Sequence, residues 1–185
     1  MISVNSLVPG KLNMKIDATL QSPTSESLPT LMFKVFEYWK GVCGDRLAPA
    51  WTDFHLEHLP TKAIPWCAVV DVLQSPLDFV YRFHGTARVR MQGRELTGQS
   101  IRNLKPLNFA DKAFKELSHA YEQKSPVHIK TTCDPQNGNQ FSYDILRLPF
   151  CNDEEAITQI FTFTEKGPNF HHIYEMYGTE APTFV

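Results

Sequence analysis

The chain reads as an α+β fold in which helices pack on an antiparallel sheet of five strands. Three observations lead there. Phe79, Tyr81 and Phe83 alternate with Val80, Arg82 and His84, the period of a strand with two distinct faces. Residues 108–123 carry Phe109, Ala113, Phe114, Leu117, Ala120 and Tyr121 in one stripe at helical spacing. After Ser125-Pro126 come three strand-like runs, 127–133, 140–150 and 156–164, separated by DPQNGN and by the acidic turn at 151–155.

The elements follow in order. Residues 1–29 end in QSPTSESLP, too polar to pack alone, and are expected to form a flexible lead or an arm that orders on a partner. From Leu31 to Val42, Leu31, Met32, Val35, Tyr38, Trp39 and Val42 follow helical spacing, with Lys34, Glu37 and Lys40 opposite. Phe33 and Phe36 fall outside that stripe, so the helix has apolar surface for the sheet and for a second subunit. A homodimer through this helix is the expectation. Residues 45–65, broken by Pro49, Pro60 and Pro65, read as a loop with short turns. Ala68 to Leu73 and Asp78 to His84 make a hairpin through the turn at 74–77. Gly85 then permits a bend, the Thr86 hydroxyl is placed to cap a six-residue helical turn, and Gly93 ends it. Asn108 is the expected N-cap of the long helix, with Asp111 in its first turn. Residues 30–165 are thus expected to form one domain, followed by an extension, 166–185, whose Phe170, Ile173, Tyr174, Met176 and Tyr177 suit a short packed helix.

Tyr81-Arg82, Gly85-Thr86, Gly93 and Leu96-Thr97-Gly98 match a pattern, YRxxGT, a short helix, then GxxLTG. On these residues the chain resembles the PAS family, most closely a bacterial subfamily of small stand-alone PAS proteins. The resemblance runs more loosely from about Leu31 to Glu165, through Ala50 to Phe54, Val70-Asp71-Val72 and Leu148-Pro149. It implies a PAS fold, with the helices after the second strand on one sheet face and the Leu31 helix covering the other. PAS domains bind haem, flavin, small metabolites or nothing, so the family does not name a ligand.

Composition narrows the classes. The chain has 185 residues, 42% of them apolar, enough for one core without staples, and its net charge of −2 exerts no general pull on nucleic acid or an anionic membrane. Cys43, Cys67, Cys133 and Cys151 form no CxxC pair and read as reduced core residues. The N-terminus lacks a signal-peptide apolar stretch and no run reaches membrane-span length, so the expected location is the cytoplasm.

Candidate ligand residues cluster around the second strand and the helix after it. Tyr81, Arg82, His84, Arg88 and Met91 are placed at the mouth of the expected pocket, with His84 on the same strand face as Arg82. Five of the seven arginines, Arg82, Arg88, Arg90, Arg94 and Arg102, fall within 21 residues, which suits an anionic ligand or partner. A haem-binding member would use a histidine on the long helix. His119 is there, but at about 100° per residue it falls on the side of Lys112, Lys115, Glu116 and Glu122, expected to face water. A light-sensing flavin domain needs a cysteine in an NCRF-like helix after the second strand, and none of the four is there; no phosphate-cradling glycine loop is present either. Haem and photochemical flavin are therefore not expected, non-covalent flavin stays open, and the cofactor is unassigned. His55, Glu57 and His58 lack the spacing of a metal motif, and the adjacent His171-His172 implies no site.

No GxSxG elbow and no kinase, phosphatase or cyclase motif occurs, so no catalytic residue is assigned. The function expected is a sensor or adaptor that binds a small molecule or signalling protein. The alternative is a small α+β hydrolase or isomerase pairing His84 with Asp71 or Asp144.

Overall fold

Short runs of alternating or continuous apolar residues pair into one antiparallel sheet in the computed structural model, which describes residues 2–3, 14–135, 138–152 and 156–182. The sheet has seven strands in the order β1-β2-β5-β6-β7-β3-β4. These are β1 (Ile2–Ser3), β2 (Lys15–Gln21), β3 (Cys67–Leu73), β4 (Asp78–His84), β5 (Val127–Asp134), β6 (Phe141–Cys151) and β7 (Ile157–Lys166). The five expected strands are all present. The two additions come from the segment expected to be a flexible lead: β2 pairs with β5 from Lys15 opposite Asp134 to Gln21 opposite His128, and β1 pairs with β2. Ile16 and Ala18 are buried between exposed Lys15 and Thr19, a period-2 pattern too short to stand out beside its polar flank.

Adjacent sheet residues point to opposite faces, and each face has its own cover. Leu148 pairs with Phe161, and Phe54 lies 5.4 Å from the Phe161 ring and 4.8 Å from Tyr38 of α1 (Thr30–Cys43). Trp39 donates from its indole to the Pro149 carbonyl at 3.1 Å. So α1 and the loop after it close this face, as expected, with Met32, Val35, Trp39 and Cys43 buried. The opposite face, carrying Arg147 and Thr162, lies under α2 (Thr86–Gln92) and α3 (Leu107–Gln123), with α4 (His172–Tyr177) packed on α2.

Two expected caps are corrected. Helix α2 starts from Gly85 and α3 from Pro106, neither with a side-chain cap, so Thr86 and Asn108 are helical residues. Gly85 is needed for a reason other than its backbone angles, which are ordinary at φ −62°. A Cβ there would lie 2.4 Å from the Pro65 carbonyl oxygen and 2.7 Å from that of Cys67, while its own N–H donates to Cys67 at 2.9 Å. The Leu96-Thr97-Gly98 stretch covers the free edge of β4: the Gly98 N–H donates to the Tyr81 carbonyl at 2.7 Å and the Tyr81 N–H to Gln99 at 3.0 Å.

Because the atoms facing Gly85 are backbone, they cannot move aside locally. Gly85→Ala is expected to destabilise the fold by about 2–3 kcal/mol in urea unfolding, with the slope unchanged. A neutral result would show that the α2 junction relaxes freely.

Candidate functional site

A bulge in β4 decides which side chains reach the inner face. Val69 pairs with Phe83 and Val70 with Tyr81, leaving Arg82 as the extra residue. The alternation is reset there. Tyr81 and His84, three residues apart, therefore share the inner face, with ring centroids 5.0 Å apart, while Arg82 is exposed and donates to Asp71 at 2.7 Å. The expectation that His84 shares a face with Arg82 is thereby corrected.

Between this face and the helices lies a cavity of about 40 Å³. Tyr81, Arg88 and Met91 line it, three of the five residues expected at the pocket; Arg82 and His84 do not. Helix α3 contributes Phe109, Lys112 and Glu116, and the sheet contributes Tyr143, Arg147 and Thr164. The extension closes it with Ile173 and Tyr177 of α4, and Tyr177 stacks on Phe109 at 5.6 Å. The Thr179 hydroxyl donates to the Met91 carbonyl at 2.7 Å, tying the chain after α4 to α2. A wider cleft of about 340 Å³ shares Gln92, Leu104 and Tyr177 with the cavity and is rimmed by Arg94 and Lys105.

The lining is charged and largely buried. Exposure is 8% at Arg88 and Lys112, 4% at Arg147 and 2% at Glu116. Glu116 takes the Lys112 ammonium on one carboxylate oxygen and the Arg147 guanidinium, at 2.8 Å, on the other. Burial opposes ionisation of Glu116, but these two cations overcome it and hold its carboxyl below the usual carboxylate range. Arg147 also donates to Thr162 at 2.6 Å, and Arg88 to Thr164 at 2.7 Å. Among the described residues no carboxylate pairs with Arg88, and its Nε, the Tyr81 hydroxyl and Gln92 Oε1 are buried without a partner. Lys112 and Glu116, expected on the watery side of the long helix, are thus the centre of the site. The sequence signal was Arg147, a charge inside the otherwise apolar run ILRLPF.

His84 lies beside Tyr81 at 4% exposure, with Gln92 and Glu95 as its polar neighbours. Burial, and then the neighbouring Arg88 charge, push its imidazole down to about 4, although Glu95 lies 3.5 Å from Nδ1. Neither acid proposed for an enzymatic pair is with it. Asp71 accepts from Arg82 and from Gln159 at 3.3 Å, and Asp144 lies 3.1 Å from His128 Nε2.

The remaining candidates are dispersed. His119 is exposed, as expected. His58 Nδ1 lies 3.2 Å from the Tyr38 hydroxyl, and His55 and His58 face each other at 5.4 Å. Among the described residues no group of three or more His, Cys, Asp or Glu is placed to hold a metal, and no helix is long and apolar enough to cross a membrane. All four cysteines are buried and free, and burial pushes the Cys133 thiol up to about 12.

Solved structures that match the chain include the following three. An RNA-binding light-oxygen-voltage receptor matches with a TM-score of 0.43 and 14% identity over 89% of this chain and 42% of that one. This chain therefore spans under half of that receptor. A fungal LOV domain photoreceptor matches with a TM-score of 0.41 and 12% identity, over 77% of this chain and 94% of that one. The light-state dimer of the fungal blue-light photoreceptor Vivid matches with 0.40 and 13%, over 76% and 99%. None of the curated proteins matches the sequence. A family model described as a PAS domain matches residues 28–163.

Two outcomes follow from the buried charges. Glu116→Gln leaves Lys112 and Arg147 without an anion and is expected to cost ~3 kcal/mol or more in urea unfolding. Because the folded His84 pKa is depressed, the unfolded chain takes up the proton first as pH falls. Stability is therefore full above the unfolded value of about 6.5 and declines until the folded value of about 4 is reached. Urea midpoints measured near neutrality and one to two pH units lower should converge in His84→Phe relative to the parent; an unchanged pH slope would assign the loss to other groups.

Proposed function

The chain belongs to the PAS domain family, and from that premise we propose that it is a sensor or adaptor of bacterial signalling. It binds a small molecule between the inner sheet face and α2, α3 and α4, and passes occupancy to a signalling partner. The observation that carries this reading is the cavity itself, whose lining residues Arg88, Tyr81 and Gln92 each carry a buried polar atom without a partner among the described residues.

The output element that the geometry favours is α4 and the chain after it. Helix α1 lies across the sheet from the cavity, whereas Tyr177 and Ile173 form part of the cavity wall. Occupancy then shifts a pre-existing equilibrium between docked and released α4, and a partner reads the released state. The match to YRxxGT…GxxLTG supports the bacterial subfamily, and four free buried thiols suit a reducing cytoplasm.

Hydrogen exchange across 170–180 measures this coupling. A ligand that raises the melting temperature is expected to slow exchange in α4, and Tyr177→Ala is expected to speed it while abolishing the ligand effect. Ligand binding that leaves α4 exchange unchanged would refute α4 as the output.

A further inference from the structure

We infer that the molecule sensed is a small carboxylate, held by Arg88. The inference rests on the sensor reading and specifies its ligand.

The charge inventory of the cavity leads there. Arg88, Lys112 and Arg147 face a single carboxylate, Glu116, among the described residues of the lining. Glu116 is already engaged on both oxygens, by Lys112 and by Arg147. Among the described residues Arg88 has only the Thr164 hydroxyl. A guanidinium this deeply buried keeps its charge, and buried charges are matched by an opposite charge because desolvation is otherwise too costly. The neighbouring groups cannot supply that anion. Burial pushes the phenols of Tyr143 and Tyr177 and the thiol of Cys133 toward their neutral forms, and His84 is neutral or cationic at any pH. No described residue supplies the balancing charge, and a bound anion would.

Geometry selects the kind of anion. The unpartnered Nε of Arg88 belongs to the planar fork of a guanidinium, which meets a carboxylate through two parallel hydrogen bonds. The Tyr81 hydroxyl, also unpartnered, is a second donor on the same wall, and Gln92 stands where the cavity opens. The volume of about 40 Å³ equals roughly three water positions, the size of a carboxylate group with one further atom. A tail would extend past Gln92, Leu104 and Tyr177 into the outer cleft, where Arg94 and Lys105 make an electropositive approach.

Thermal unfolding of the full chain in sodium chloride, with formate, acetate, butyrate or nitrate substituted at constant ionic strength, tests the assignment. At least one carboxylate is expected to raise the melting temperature saturably, by about 5 °C or more well above its Kd. Nitrate separates a carboxylate from any planar anion. Arg88→Met removes the unmatched charge at similar volume; it is expected to be at least as stable as the parent in chloride and to lose the carboxylate response. Arg88→Lys keeps the charge without the fork and is expected to bind about tenfold weaker or worse. Equal shifts with nitrate or chloride, or a full response in either variant, would overturn the assignment. Native mass spectrometry keeps the two readings apart: a retained neutral ligand ends the carboxylate inference and leaves the sensor standing, whereas loss of α4 coupling with carboxylate bound ends the sensor reading alone.

Discussion

The Glu116 carboxylate, shared between Lys112 and Arg147, is the interaction around which the inner half of the molecule is arranged. It joins consecutive turns of α3 to each other and to β6, with all three charged groups buried. A buried ion pair of this kind adds little stability over an apolar core of equal volume, but breaking it is costly, so it acts chiefly to hold one geometry. Helix α3 also buries Phe109, Ala113, Leu117 and Ala120, and the charged groups line the cavity beside that apolar contact.

Strand β7 organises the other wall. Thr162 and Thr164, two residues apart and therefore on one face, receive Arg147 and Arg88 respectively. The two arginines lie on comparable hydroxyls but differ in their remaining partner. Both leave Nε without a partner, but Arg147 also reaches Glu116, whereas no carboxylate among the described residues pairs with Arg88. That asymmetry separates a structural cation from one available to a ligand, and it exists because α2 carries no acid on its inner side.

Helix α2 is aimed by two backbone features acting together. The bulge at Arg82 turns the end of β4 so that His84 faces inward, and the missing side chain at Gly85 lets the next residues pass against Pro65 and Cys67. Only then does Arg88, one turn into the helix, reach Thr164. The C-terminal extension completes the enclosure through Tyr177, stacked on Phe109, so the segment beyond the family match contributes part of the site's wall.

Local chemistry made much of this legible in the sequence. Alternation and helical stripes are set by side-chain spacing along one segment, so five strands, the first three helices in order, and the importance of residues 79–98 could be read directly. Tyr81, Arg88 and Met91, expected at the pocket from the resemblance to the PAS family, line the cavity. The rest depended on contacts between distant segments. Nothing within KIDATLQ says that it will find β5 as a partner, and a one-residue bulge leaves no mark in an alternating pattern, yet it moved Arg82 out of the pocket and turned His84 inward. Lys112 and Glu116 read as solvated because helical periodicity sorts residues by polarity alone. Whether a polar stripe faces water or a buried arginine is decided by the strand opposite, and only the tertiary fold brings Arg147 across from it.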